Sequence, residues 1–162
     1  IIVADKQDVK FVEVSPKDII TNLVGHLKAD YKKSNINIDF DCSEGTCFLE
    51  HDLFRSLIVN LIDNARKALE NGGRIVIVSS ITEDGCVISV ADNGRGIPKE
   101  ELSHLTEAFY SVDKSRSRRL GGAGLGLALC LKIAEIHGGN IDFESYEQVG
   151  TCVTVTLKGG RA

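Results

Sequence analysis

Methionine and tryptophan do not occur in the 162 residues, and only two are proline. No run is apolar enough to read as a signal peptide or a membrane span. Starting at Ile1 without a methionine, the chain reads as an excised piece without its own targeting segment. The charge balance has no basic excess: the formal net charge is −4 and the pI near 5.6. A polyanion binder normally shows a net basic face that releases counterions, so the balance argues against a nucleic-acid partner. No two of the five cysteines, Cys42, Cys47, Cys86, Cys130 and Cys152, stand in a CxxC pair. That odd, unpaired set fits reduced thiols acting as small buried apolar residues, and argues against a zinc site.

A hydrophobic share of 43% over this length is enough for one proper core, so a single domain is expected. Lys10 to Val14 alternates as a short strand. Ser15-Pro16 then starts a helix reaching about Lys33, with a capping hydroxyl followed by a proline preset for the first turn. Asn35 to Asp41 alternates Ile36, Ile38 and Phe40 with polar residues, and Thr46 to Glu50 suggests its hairpin partner across Glu44-Gly45. A long helix is predicted from His51 to Asn71, stopped by Gly72-Gly73. Strands follow at Arg74 to Thr82 and Cys86 to Asp92 across Asp84-Gly85, then a short helix at Pro98 to Leu105. Thr106 to Gly122 has weak periodicity and reads as a mobile loop. Leu125 to His137 is apolar at helical spacing and ends at Gly138-Gly139. Asn140 to Tyr146 and Thr151 to Leu157 form a last hairpin with Val153, Val155 and Leu157 inward, and Gly159 to Ala162 is a frayed tail. Strands arriving in adjacent pairs, with helices between the pairs, predict an α+β fold: about three helices on one face of a mostly antiparallel sheet of about five strands.

Three stretches carry chemistry. Asn60, Asn64 and Lys67 fall at i, i+4 and i+7 of the long helix and share one face. Asparagine is a poor helix former, and two amides one turn apart present oxygens suited to Mg²⁺. The plain alternative is a solvated face on which Asp63 pairs with Lys67. Asp92-Asn93-Gly94-Arg95-Gly96-Ile97 ends a strand in a carboxylate and two glycines; ionised Asp92 only accepts hydrogen bonds, which suits an exocyclic amine such as adenine's. An ordinary turn is the alternative there. Gly121 to Leu127, with Gly122, Gly124 and Gly126, opens a helix where successive N–H groups and the helix dipole make a phosphate seat, although neither GxGxxG nor GxxxxGK[ST] is present. Lys114, Arg116, Arg118 and Arg119 before it either close over phosphates or are simply solvated.

In order and spacing these residues resemble the histidine-kinase branch of the ATPases that share the Bergerat nucleotide-binding fold. Asn60 and Asn64 are similar to the N box, Asp92 to Gly96 to the first glycine box, Phe109-Tyr110 to the aromatic F box, and Gly122 to Leu127 to the second glycine box. The resemblance implies an ATP-binding catalytic domain over residues 1–158, with a flexible ATP lid at about 98–121. Asn60, Asn64 and Lys67 would be catalytic, Asn64 and Asn60 holding Mg²⁺ and Lys67 contacting phosphate. Asp92 would receive the adenine amino group, Gly94, Gly96 and Ile97 would line the base pocket, and Thr151 would contact its adenine side. Phe109, Tyr110, Lys114, Arg118, Gly122, Gly124, Leu125 and Gly126 complete the implied nucleotide site. Ala68, where many members carry an aromatic ring, and Ala123, where threonine is common, depart from the pattern and bear on affinity.

ATP-hydrolysing relatives of the gyrase type have glutamate as a general base where this chain has Asn60. A neutral histidine is already nucleophilic and needs no such base. The resemblance therefore implies a protein histidine kinase domain, with a hydrolase of the same fold or a degenerate nucleotide-sensing module as alternatives. None of His26, His51, His104 and His137 has the context of a phosphoacceptor, so the acceptor would lie on a dimerisation domain outside this chain. A response regulator is the implied downstream partner. The domain itself would be cytoplasmic and bind no membrane, in a dimeric parent anchored in a bacterial cell membrane.

Overall fold

The computed structural model describes residues 9–105 and 126–159. Five strands form one sheet in the order β2-β4-β5-β7-β6, from β2 (Ile36–Cys42), β4 (Gly73–Ile81), β5 (Gly85–Asp92), β6 (Asn140–Tyr146) and β7 (Gly150–Lys158). Only β2 and β4 run parallel; every other neighbour in that sheet is antiparallel. Helices α1 (Pro16–Lys33), α2 (His51–Lys67) and α3 (Gly126–Ile136) supply the second layer. The α+β sheet-and-helix architecture expected from the strand pairs is the one observed.

The period of two along the central strands decides which face is covered. Ile77, Val90 and Val153 stand in one cross-strand row, Ser79, Ile88 and Val155 in the next, and all six are buried. Against that face α2 turns Phe54, Leu57, Ile58, Leu61, Ile62 and Ala65, whose spacing of three and four makes one continuous apolar stripe. Each large side chain so buried contributes about 1.5–3 kcal/mol relative to exposure. Ser15 Oγ accepts the Asp18 N–H at 3.2 Å to start α1, with Pro16 in the first turn as the sequence predicts. Glu50, read from sequence as the end of a strand, caps α2 through its carboxylate on the Leu53 N–H at 2.6 Å.

Three local expectations are corrected. No hairpin joins Asn35–Asp41 to Thr46–Glu50. Instead β3 (Cys47–Leu49) pairs with β1 (Val12–Val14) in a separate two-stranded sheet. Ser43 keeps the chain on β4, its N–H donating to the Ser79 carbonyl and its hydroxyl accepting from the Ile81 N–H. The chain then swings away, and Val14 and Leu49 are buried together in the core. Helix α2 stops at Lys67, before Asn71, because its last turn tightens: the Ala68 N–H reaches the Ala65 carbonyl and the Leu69 N–H the Arg66 carbonyl. The short helix after Pro98 is a 3₁₀ helix, Lys99–His104. Cys42, Cys86 and Cys130 are buried as expected, burial pushing the Cys130 thiol up to about 12, whereas Cys47 and Cys152 are only partly covered. Among the described residues no helix is long and apolar enough to cross a membrane.

Candidate functional site

At one end of the central strands the buried face becomes polar. Asp92, the last residue of β5, occupies the row of Ile75 and Thr151, where an apolar residue would continue the core. One carboxylate oxygen accepts the Gly94 N–H at 2.8 Å. Burial pushes the Asp92 carboxyl above the usual carboxylate range, while the N–H groups of Gly94 and Thr151 and the charge of Arg95 oppose that rise. The charged form is thus held where it costs stability.

The loop beyond Asp92 is pinned on three sides. Asn93 Oδ1 accepts the Arg74 N–H at 2.8 Å, tying the loop to the start of β4. Gly94 lies so close to the end of α2 that a Cβ there would come 2.5 Å from the Ala68 carbonyl oxygen, which accepts the Arg95 N–H. Gly96 has φ +72, and a side chain on it would run into the Tyr146 carbonyl. The glycines of this loop serve close backbone approach, whatever else they line.

Across the opening, α2 presents its polar stripe. Asn60 donates through Nδ2 to the Ser56 carbonyl at 2.7 Å, and its Oδ1 has no hydrogen bond among the described residues. That oxygen faces Gly126, where a Cβ would lie 3.5 Å from it, so Asn60 and the first described residue of α3 adjoin. Asn64 is half-buried and makes no side-chain hydrogen bond among the described residues. Lys67 is paired with Asp63 at 3.2 Å, and Arg66 holds the same carboxylate at 2.8 Å. The simpler reading of this i,i+4 pair is therefore what the side chains adopt, and Lys67 would have to leave Asp63 to reach a phosphate. Burial alone would raise the Asp63 carboxyl; Arg66 and Lys67 together hold it below its ordinary value.

Asp92, Gly94, Gly96, Ile97 and Thr151 are thus brought around one end of the sheet, with Gly94 against α2 one turn beyond Asn64, and Asn60 lies beside Gly126. Phe109, Tyr110, Lys114, Arg118, Gly122, Gly124 and Leu125 lie outside the described residues. Sequence reasoning missed Ser145. Its hydroxyl lies 2.7 Å from Thr151 Oγ1, accepts the Ile97 N–H at 2.8 Å and donates to the Gly150 carbonyl at 3.1 Å. The available signal was a serine on the inward register of β6, two residues after Phe143. Gln148 was missed as well; its N–H donates to the Arg95 carbonyl at 2.6 Å.

Chemically, the end offers two amide side chains with oxygens to give, a carboxylate that accepts, and backbone that a flat ligand edge can approach. Among the described residues no group of three or more His, Cys, Asp or Glu side chains could hold a metal. A cation here would draw its ligands from amides, water and the bound molecule itself, the habit of Mg²⁺. Asn60 Oδ1 and the Asn64 side chain fit that demand. His137 belongs elsewhere: it is buried, Nδ1 meets the Ile133 carbonyl at 2.8 Å and Nε2 accepts the Glu50 N–H at 3.1 Å.

Known proteins resemble this chain in sequence and in fold. The chain is 40% identical over 111 residues to the sensor histidine kinase WalK of Bacillus subtilis (strain 168), covering 67% of this chain and 18% of WalK. It is 33% identical over 150 residues to the sensor protein SrrB of Staphylococcus aureus (strain NCTC 8325 / PS 47), covering 90% of this chain and 25% of SrrB. It therefore spans a quarter or less of these curated relatives. The solved catalytic domain of the histidine kinase ThkA superposes with a TM-score of 0.79 at 26% identity, over 93% of this chain and 96% of that domain. ThkA is also known in complex with the response regulator protein TrrA, a structure matched over 93% of this chain and 42% of that one (TM-score 0.75, 23% identity). Residues 49–161, from the cap of α2 through the loop after Asp92 to the last strand, match the family described as histidine kinase-, DNA gyrase B-, and HSP90-like ATPases, and this chain belongs to that family.

Proposed function

We propose that the chain is the Mg²⁺-ATP-binding catalytic domain, over residues 1–158, of a two-component sensor histidine kinase. It would pass the γ-phosphoryl group of ATP to a histidine on a dimerisation domain outside this sequence. The observation that carries this reading is the neutral pair on α2: Asn60, with Oδ1 beside Gly126 and without a hydrogen bond among the described residues, and Asn64, one turn before Ala68, against which Gly94 of the loop after Asp92 packs. The nearest carboxylate on that helix, Asp63, is occupied by Arg66 and Lys67. Activation of water calls for a base; transfer to a neutral imidazole does not.

In this reading Asp92 accepts from the adenine amino group, and the backbone of Gly94, Gly96 and Ile97 flanks the base. Asn64 and Asn60 would hold Mg²⁺, which when bound supplies charge to the phosphate oxygens. Lys67, released from Asp63, would add a second positive charge. The bond between the γ-phosphorus and the β,γ-bridging oxygen breaks as a P–N bond to the acceptor imidazole forms; ADP departs, and the imidazole gives its ring proton to solvent. The chain's part is positioning and charge stabilisation. Partners outside it would be the parent's own dimerisation domain and a response regulator, in a dimeric, membrane-anchored bacterial protein whose catalytic part is cytoplasmic.

The test is γ-labelled ATP added to the parent protein. Acid-labile, alkali-stable label on histidine, lost in Asn64→Ala, is the expected outcome. Undiminished transfer by Asn64→Ala contradicts the metal role. Sustained phosphate release without protein labelling would favour a hydrolase.

A further inference from the structure

We propose that Ser145 is a positioning residue that sets base selectivity, by fixing the Thr151 hydroxyl as a hydrogen-bond acceptor beside Asp92. The inference rests on the reading that a purine sits at the Asp92–Thr151 end of the sheet.

Three groups meet at the Ser145 hydroxyl, and their chemistry leaves little freedom. The Ile97 N–H, at 2.8 Å, can only donate. The Gly150 carbonyl, at 3.1 Å, can only accept, and it takes the one hydrogen that Ser145 has. The remaining contact, 2.7 Å to Thr151 Oγ1, is then satisfied only if Thr151 donates to Ser145. The chain of hydrogens runs Thr151 to Ser145 to Gly150, and the Thr151 oxygen keeps only lone pairs to offer. The reverse orientation would leave the Gly150 carbonyl without this bond.

Thr151 is buried, and it stands directly opposite Asp92 in the β5–β7 register. Both side chains therefore present acceptors on the same row. A purine with an amino group at position 6 supplies two hydrogens to such a pair, whereas a 6-oxo purine sets its carbonyl oxygen against the two acceptors and keeps only its N1–H to donate. With Ser145 removed, the Thr151 hydroxyl is free to turn and donate, and part of the penalty against the 6-oxo base disappears. The same hydroxyl holds the Ile97 N–H, so Ser145 also ties the loop after Asp92 to the β6–β7 hairpin.

The experiment titrates this chain calorimetrically with the β,γ-imido analogues of ATP and of inosine triphosphate, which differ at the six-membered edge of the base. Wild type, Ser145→Ala, Ser145→Thr and Thr151→Val are compared, with a thermal melt of each. The wild type is expected to prefer the adenine analogue by on the order of 100-fold, and Ser145→Ala to lose about tenfold of that preference. Ser145→Thr, which keeps the hydroxyl, should restore the ratio. A merely structural serine would lower the melting temperature and weaken both analogues in parallel, and an unchanged ratio in Ser145→Ala overturns the inference. Should Ser145→Ala not fold, Thr151→Val decides: a reduced preference supports the account, and a wild-type ratio overturns it. Failure of the wild type to bind either analogue would instead overturn the nucleotide reading beneath it.

Discussion

Among the described residues two polar clusters adjoin the core, and they are built to opposite ends. At the C-terminus of α3, His137 is 1% exposed, with one ring nitrogen on the Ile133 carbonyl and the other taking the Glu50 N–H, so that it binds the end of one helix to the cap of another. Its peptide N–H reaches the Ile133 and Ala134 carbonyls, and its carbonyl accepts from Lys158. That cluster is closed. The cluster around Asp92 is open: a carboxyl raised by burial, an asparagine oxygen uncommitted and a second asparagine without a side-chain partner among the described residues. Buried polar groups that satisfy one another stabilise the fold, whereas a carboxylate carried against burial beside half-buried amides costs stability or adds little to it and suits a place that a ligand completes. We assign the first cluster to the fold and the second to the proposed nucleotide site.

The sharpest way to break this contrast is His137→Ala. It strands the Glu50 N–H and empties a buried ring site, so a loss of about 2–3 kcal/mol is expected, lowering Tm by roughly 5–10 °C. Nucleotide affinity at a temperature where the variant is folded should stay within about twofold of wild type by calorimetry. Asn64→Ala should do the reverse: a thermal melt unchanged within about 0.5 kcal/mol, and Mg²⁺-dependent nucleotide affinity down about tenfold.

A smaller effect is expected from pH. Burial raises the Asp92 carboxyl, so its folded form binds a proton more readily than the unfolded chain does. Its contribution to stability accordingly falls as pH rises through that raised value, while the acceptor strength that an amine needs grows over the same range. Affinity for an ATP analogue should decline on acidification above the ordinary carboxylate range, and a profile flat down to that range would contradict the assignment. Smallest of all, Asp63→Asn should change stability by no more than about 0.5–1 kcal/mol, since it removes only half-exposed helix pairs, and should weaken no nucleotide contact by calorimetry.

Much of the fold was legible because it is local. Ser15-Pro16 starts α1 where a capping hydroxyl and a preset proline require it, and the β4–β5 and β6–β7 hairpins follow from alternation on either side of a turn. The stripe of Asn60, Asn64 and Lys67 is a matter of helical spacing alone. What escaped was non-local. The β2–β4 pairing is parallel and joins segments separated by a strand and a helix, so no turn residue announces it. Just past the tightened last turn of α2, the Ala68 carbonyl takes the N–H of Arg95 from far along the chain. Ser145 could not be singled out in β6 without knowing that Ile97 and Thr151 converge on it. His137 looked like a helix terminus because its second partner, Glu50, is 87 residues away.

The most direct test of the open cluster is one pair of measurements on Asp92→Asn: calorimetric titration with a non-hydrolysable ATP analogue, with and without Mg²⁺, and a thermal melt. The wild type is predicted to bind, more tightly with Mg²⁺. In the variant, binding should fall by at least about 100-fold while Tm is unchanged or higher, because the costly charge is gone. Retained binding, or a fall in Tm of the size expected for His137→Ala, would contradict the account.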